Sequence, residues 1–455
     1  MRSGRSGAAS LVALLLASSL LAACDSSPGA VPTPDETESA AVDRSLTFGV
    51  FGSADEINAY DSLVAVYNSL YDDAEMTVES YPSREAFMGT LRESGEVPDV
   101  FLASGRDLAW LTDQEVLQPV DLLLLERGVD FGDLYSRDAV LAFSAESRLQ
   151  CMPVGISPMV LYYNTELVDF DQMEARGLAV PDEERLTWGF EAFTAAVEFA
   201  SKPRRETRGI HVEPTVESLA PFIYAAGGEV YDDATEPTSL SLSNEDSRAA
   251  LAEVLPVLRD PRLTLSEEQL DRHSAMEWFR RGKLAMIQGY RDDVPMLRQV
   301  SGLRFDVIAI PSIERSATVG DVSGMCVSAD TANATAAADF LVHMASSVSV
   351  RRVASEGYLV PANLEVALSS VFVQPGQAPD HSAVFTNAIR TIVLAPLIDD
   401  GPELELVVSE SLEELLTEPI LTDLEALTTQ IDEESRTVLD PEGLAEELAE
   451  ESESP

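Results

Sequence analysis

Leu149-Gln150-Cys151-Met152-Pro153-Val154-Gly155-Ile156 and Val160-Leu161-Tyr162-Tyr163 are two apolar runs that stand almost end to end. Pro153, Gly155 and Pro158 break what would otherwise be a single long buried strand. Proline cannot donate to a strand ladder and glycine has no side chain to pack, so neither belongs in the middle of a central strand. The segment therefore reads as a chain crossing from one domain to another, and the residues on either side test that reading.

Upstream, Leu46-Thr47-Phe48-Gly49-Val50-Phe51 predicts a buried first strand. A helix over 54–70 follows, with Ile57, Tyr60, Leu63, Val64 and Tyr67 at helical spacing. A strand over 76–79, a helix over 84–93 and a strand over 99–103 continue the alternation. Strand–helix alternation argues for a mainly parallel sheet covered on both faces. Downstream a second α/β set appears. It has helices over 188–200 (capped by Thr187), 221–226, 246–258 and 270–281, and strands over 284–287 and 305–308. A strand over 325–328 precedes a nearly all-helical remainder, with helices over 334–345, 348–355, 363–370, 383–394, 403–417 and 420–438. From Asp399 onward there are 20 acidic residues against one basic residue, Arg436. Leu404, Val407, Val408, Leu412, Leu415 and Leu416 keep an apolar stripe there, so these are packed helices with a charged outer face, and 440–455 is expected to be a frayed acidic tail.

The first residues carry a separate message. Arg2 and Arg5 precede an apolar run over 8–23, shorter than a membrane span needs, which leads into Leu21-Ala22-Ala23-Cys24. Small residues before a cysteine fit a lipoprotein signal over 1–23, with Cys24 as the lipidated residue and a flexible linker over 24–44 rich in Ser, Pro, Thr, Asp and Glu. The expected location is the extracytoplasmic face of a cell membrane, by lipid anchor. With Cys24 so used, Cys151 and Cys326 remain, either as a pair or as two separate buried thiols.

Formal net charge is -49, which argues against nucleic acid as a partner through any general field effect. Only Lys202 and Lys283 are lysines. The four histidines, His211, His273, His343 and His381, have no partner at metal-ligand spacing, and no nucleophile elbow, P-loop or dinucleotide fingerprint is present. No catalytic residue, metal site or cofactor is expected; the chain reads as a non-enzyme.

Taken together, the pieces resemble a known family. Phe51-Gly52-Ser53-Ala54-Asp55-Glu56, the crossing Pro153-Val154-Gly155 with Leu161-Tyr162-Tyr163-Asn164-Thr165-Glu166-Leu167, and Thr187-Trp188-Gly189-Phe190-Glu191-Ala192-Phe193 follow in the family's order. So do Ala225-Ala226-Gly227-Gly228-Glu229-Val230-Tyr231, the run 279–287 with Gly289-Tyr290, and Gly357-Tyr358-Leu359-Val360-Pro361-Ala362-Asn363. The whole is similar to the maltose-binding-like extracellular solute-binding proteins of ATP-driven sugar importers. That resemblance implies an α/β, two-lobed periplasmic-binding-protein fold of type II, with a hinge, an interlobe cleft and a helical C-terminal part. It places lobe one at 45–155 and 325–365, and lobe two at 156–324 and 366–439. Cys151 and Cys326 would then both lie on strands near the crossings, which favours a disulfide between them.

The resemblance also implies a carbohydrate cargo, a mono- or oligosaccharide or polyol, handed to the permease subunits of an importer by a monomer. A polyamine or glycerophosphodiester in the same fold, or a non-transport sensing or adhesion role, is the alternative. Ser53 stands at a strand-to-helix junction, as a cleft hydroxyl or a helix cap. Ser104, Arg106 and Asp107 form the loop after the third strand, to bind hydroxyls or to pair with each other. Glu213 and Thr215 resemble a lobe-two binding loop, and Tyr290 is the leading aromatic for stacking on a sugar ring. Tyr81, Trp110 and Tyr358 are weaker aromatic candidates, and Trp188 is assigned to the core. With tryptophan only at Trp110, Trp188 and Trp278, a short sugar is expected rather than a long chain clamped by indoles.

Overall fold

The computed structural model describes residues 45–71, 75–129, 134–398, 401–417 and 423–453. Cys24, the leader and the linker lie outside the described residues. No described helix is long and apolar enough to cross a membrane.

β1 (Ser45–Phe51) leads into α1 (Ala54–Leu70), β2 (Glu75–Tyr81) into α2 (Arg84–Ser94), and β3 (Val100–Ser104) into a tight turn at Gly105–Asp107. β1 pairs in parallel with both β2 and β3. Leu46, Phe48 and Val50 are fully buried, with Phe48 edge-on to Tyr60 and Phe340. After β4 (Leu117–Gln118) comes β5 (Cys151–Pro158), followed across Met159 alone by β6 (Val160–Asn164). The next elements are α3 (Phe190–Ala200), β7 (Arg208–His211), α4 (Val216–Ala225), α5 (Glu245–Leu258), β8 (Leu284–Gly289), α6 (Asp293–Arg298) and β9 (Phe305–Ile308). β10 (Thr318–Ser328) returns the chain to the first sheet, ahead of α7 (Ala334–Ala345), α8 (Ser347–Glu356) and β11 (Ile392–Leu394). The chain closes with α9 (Gly401–Thr417), α10 (Leu424–Leu439) and α11 (Pro441–Glu453).

These strands make two sheets. The larger runs β11-β10-β3-β1-β2, with β4 and β5 also on β10; the smaller runs β9-β6-β8-β7. β6 shows why its sequence is continuously apolar: Tyr162 packs into the core beneath the larger sheet, while Leu161 and Tyr163 face the other core, built with α3, α4 and α5. A strand buried on both faces has no polar side to alternate.

The crossing is more regular than its sequence suggests. Pro153 and Gly155 lie inside β5 rather than interrupting it, because the ladder with β10 is irregular between Ser323 and Gly324, next to Pro153. Gly155 is required by close approach: a Cβ there would sit 2.3 Å from Leu359 Cδ1 and 2.7 Å from Ser323 Oγ. The segment after α8 lies along the other edge of β5, with Ile156 N donating to Val360 O and Ala362 N to Val154 O, both at 3.0 Å. Cys151 and Cys326 stand opposite one another on β5 and β10, fully buried, and are disulfide-bonded.

Several expected elements differ. Thr187 does not cap α3; its amide and hydroxyl both donate to Asp182, and Gly189 takes the cap position. The expected helix over 270–281 is two short helices, Glu267–Leu270 and Ala275–Arg280, the second capped by Ser274. That over 363–370 divides into Leu364–Ala367 and Ser370–Val373. The helix over 383–394 stops at Ala388, and its apolar end becomes β11, parallel to the start of β10. The strand expected over 325–328 begins at Thr318. The stretch expected as a frayed tail is helical over Pro441–Glu453, with the Asp440 carboxylate accepting from Gly443 N at its start. Trp188 is a core residue, as its position implied, and its indole N–H donates to Ala309 O at 2.7 Å.

Candidate functional site

The site lies where the turn after β3 meets the N-terminus of α4. Ser104 is buried, and its hydroxyl sits 2.8 and 2.7 Å from the two carboxylate oxygens of Asp321 on β10 while accepting from Arg106 N at 3.1 Å. Asp107 accepts from Ser104 N at 3.2 Å and receives two parallel 3.1 Å bonds from the Arg84 guanidinium on α2. This double anchorage fixes the turn and aims Arg106 across the gap.

Arg106 meets Glu217, in the first turn of α4, through both ends of its fork, one contact at 3.2 Å and the other shorter. Its Nε lies 4.0 Å from Asp321. The Tyr290 hydroxyl, on the loop after β8, donates to the same Glu217 carboxylate, while the Tyr290 carbonyl accepts from the buried Tyr162 hydroxyl. One carboxylate on the smaller-sheet half thus holds an arginine from the larger-sheet half. Burial alone would raise Glu217, but the bond and charge of Arg106 outweigh it and hold the carboxyl below its ordinary range. Burial, then the charge of Glu217, pushes the Tyr290 phenol well up, so it stays a donor.

Beside this bridge is a cleft of about 450 Å³. Arg84, Arg106, Glu217 and Glu405 are among its polar groups, and Met88, Ala220, Tyr224, Tyr231, Pro396 and Ile398 among its apolar walls. Glu405, in the first turns of α9, accepts from Val216 N at 3.1 Å and Glu217 N at 3.4 Å, which fixes the start of α4. Among the described residues no three or more His, Cys, Asp or Glu side chains are placed so that they could hold a metal ion.

The expected residues divide into two groups. Ser104, Arg106, Asp107 and Tyr290 converge on the bridge. Thr215 caps α4, accepting from Ser218 N at 3.1 Å, and so positions Glu217 through the helix. Glu213 lies 3.5 Å from His211 Nε2, and Ser53 caps α1 through Glu56 N at 3.3 Å. Tyr81, at the end of β2, packs edge-on to Phe87 with its hydroxyl 3.4 Å from Glu79; Tyr358 is half-buried in the turn after α8. Trp110 lies under Arg92. Glu217, Asp321, Glu405, Tyr224 and Tyr231 were missed, the carboxylates because acidic residues are too common in this chain for any one to stand out.

A second acidic group involves Glu56 at the start of α1 and Asp292 and Asp293 at the start of α6. Glu56 folds back over Gly52, whose φ of +137° favours glycine. Loss of water and then the charge of Asp292 push Glu56 up to about 7, and the same two causes push Asp293 to about 7. Both values lie above the ordinary carboxylate range. From about pH 4.5 to 7 the folded chain therefore holds protons that the unfolded chain has released. This contribution is complete at the acidic end and lost as pH rises through 7. Glu56→Gln should flatten the pH dependence of the melting temperature between pH 5 and 8 and add on the order of 1–2 kcal/mol at pH 8. An unaltered slope in thermal denaturation would contradict the assignment.

Residues 62–380 match the family model of the bacterial extracellular solute-binding proteins. The fold is similar to an ABC substrate-binding protein from Listeria monocytogenes solved with cycloalternan, with 18% identity, TM-score 0.72, and 87% of this chain and 98% of that chain covered. It is also similar to the GacH receptor of Streptomyces glaucescens, solved unliganded and with acarbose, at 17% identity and TM-score 0.69, with 87% and 98% covered. A sugar-binding protein from Xanthomonas citri aligns at 15% identity and TM-score 0.71 over 89% of this chain and 99% of its own.

Proposed function

We propose that this chain, which belongs to the bacterial extracellular solute-binding proteins, captures a short carbohydrate in the cleft between its two lobes and delivers it to an ATP-driven importer. The reading takes lobe one as 45–155 with 325–365, and lobe two as 156–324 with 366–439. The observation that carries it is the Arg106–Glu217–Tyr290 bridge beside a cleft of about 450 Å³. That volume lies within the range of small-molecule sites. A sugar needs an apolar wall for the C–H faces of its ring and charged or amide groups in the ring plane for its hydroxyls. Tyr224, Tyr231 and Met88 offer the first; Arg84, Arg106, Glu217 and Glu405 offer the second. None of the three tryptophans lines the cleft, which suits a mono- or disaccharide better than a long chain.

The bridge also supplies the mechanism. Arg106 and Glu217 are 111 positions apart and meet only when the lobes are together. Their pairing favours the shut form but leaves both side chains partly in water, at 42% and 30% exposure, so alone it is a weak clasp. A sugar whose hydroxyls bond to both residues adds differential affinity for the shut form, and only such affinity moves the equilibrium. A permease can then distinguish loaded from empty protein.

A thermal-shift screen of sugars, polyols, polyamines and glycerophosphodiesters tests the substrate class. A mono- or disaccharide should raise the melting temperature, and the rise should vanish in Tyr290→Ala. Stabilisation by a polyamine or phosphodiester, with no response to any sugar, would overturn the carbohydrate assignment.

A further inference from the structure

The chain has 79 carboxylates against 30 arginines and lysines, so cations without a carboxylate partner are conspicuous on its surface. Four of them gather at one place, outside the cleft. Arg176, Lys202, Arg204 and Arg205 line an open groove of about 750 Å³ at the end of α3, with Phe199 and Pro203 as its apolar lining. None of these four forms an ion pair among the described residues. Against these four cations the groove sets two carboxylates: Glu166, 3.5 Å from Arg304, and Asp169, which caps the helix Phe170–Ala175 by accepting from Gln172 N at 2.9 Å.

The groove is built, not incidental. The Arg176 guanidinium and the Lys202 ammonium sit 5.0 and 4.8 Å from the Phe199 ring centroid, which fixes their stems and covers the ring. Lys283, at the start of β8, donates to the Arg205 carbonyl at 2.9 Å and holds the turn Pro203–Arg205 in place. The only two lysines of the chain are thus both used here. A cation after α3 would offset the helix dipole, but that effect fades within a turn and does not account for Arg204 and Arg205, which follow once the chain has turned away.

We propose that this groove docks an acidic peptide segment of a partner protein. Charge complementarity sets the class, because the groove lines up four cations against two carboxylates on a body whose net charge is -49. A peptide fits better than a bilayer. Surface association with lipid uses exposed apolar side chains that insert, whereas Phe199 lies beneath two cations. The rest of the body would also be repelled by an anionic membrane, while a single extended segment meets only the groove.

Fluorescence anisotropy of a labelled ten-residue glutamate peptide, titrated with the full chain, tests this. Saturable binding is expected at 20 mM NaCl, weakened about tenfold or more at 200 mM as charges are screened. The triple variant Lys202→Gln, Arg204→Gln, Arg205→Gln should weaken it at least tenfold with an unchanged melting temperature. Arg351→Gln with Arg352→Gln, which removes two cations elsewhere, should leave it unaltered. Absence of saturable binding, or equal loss in both variants, would overturn the proposal. So would tighter binding to phosphatidylglycerol vesicles, which would make the groove a membrane contact, or displacement of the peptide by equimolar inorganic phosphate, which would make it a small-anion site.

Discussion

Arg106→Ala is expected to weaken sugar binding by one to two orders of magnitude in titration calorimetry. The guanidinium engages Glu217 in a fork and lies near Asp321, so its loss leaves both carboxylates without the cation between them, with Tyr290 as the remaining side-chain donor to Glu217. Breaking a fully buried charge pair costs about 3–5 kcal/mol. With Arg106 at 42% and Glu217 at 30% exposure, water absorbs part of that, leaving about 1–3 kcal/mol. At about 1.4 kcal/mol per factor of ten, this is a loss of roughly 10- to 100-fold. The pH profile gives an independent readout. Glu217 is held below its ordinary range in the folded chain, so the pair contributes above that range and is lost as pH falls through the folded value. In Arg106→Ala that acid-side loss should disappear. Arg106→Lys, which retains charge without the fork, should fall between the two proteins. Undiminished affinity in Arg106→Ala would remove the bridge from the binding mechanism.

Replacing Cys151 and Cys326 together by alanine should destabilise the folded chain by about 5 kcal/mol, the loop-entropy value for a closed segment of this size. The two residues are 175 positions apart and join the strand that leaves the first sheet to the strand that re-enters it. The bond therefore restrains, in the unfolded chain, nearly all of the segment that carries α3, α4 and the smaller sheet. Guanidinium denaturation should show a clearly lower midpoint in the variant, and the same fall in the native chain under reductant. Affinity for sugar should hardly change, since neither cysteine lines the cleft. A midpoint unmoved by either treatment would contradict the restraint.

The parts of the fold legible in the sequence are those where local pattern and tertiary role agree. β1 and α1 read cleanly because Phe48 and Val50 are buried and Tyr60, Leu63, Val64 and Tyr67 form the buried side of the helix. β11 was hidden because three apolar residues continue a helix-like run, and only pairing with β10, more than seventy positions away, makes them extended. Pro153 and Gly155 lie in the strand from which the chain passes to the smaller sheet, yet they do not break it: one sits beside a ladder irregularity and the other beneath Leu359. At the site, Arg106 and Asp107 could be found because they follow a strand end. Glu217 and Glu405 could not, since their meaning comes from what faces them. A carboxylate that takes an arginine 111 positions away leaves no periodic trace.

The central claim is that a sugar shuts two lobes upon itself through the Arg106–Glu217–Tyr290 bridge. Small-angle scattering of the chain, with and without the sugar that raises its melting temperature, tests this most directly. A smaller radius of gyration on saturation, absent in Tyr290→Ala, is the predicted result; identical scattering with sugar demonstrably bound would contradict it.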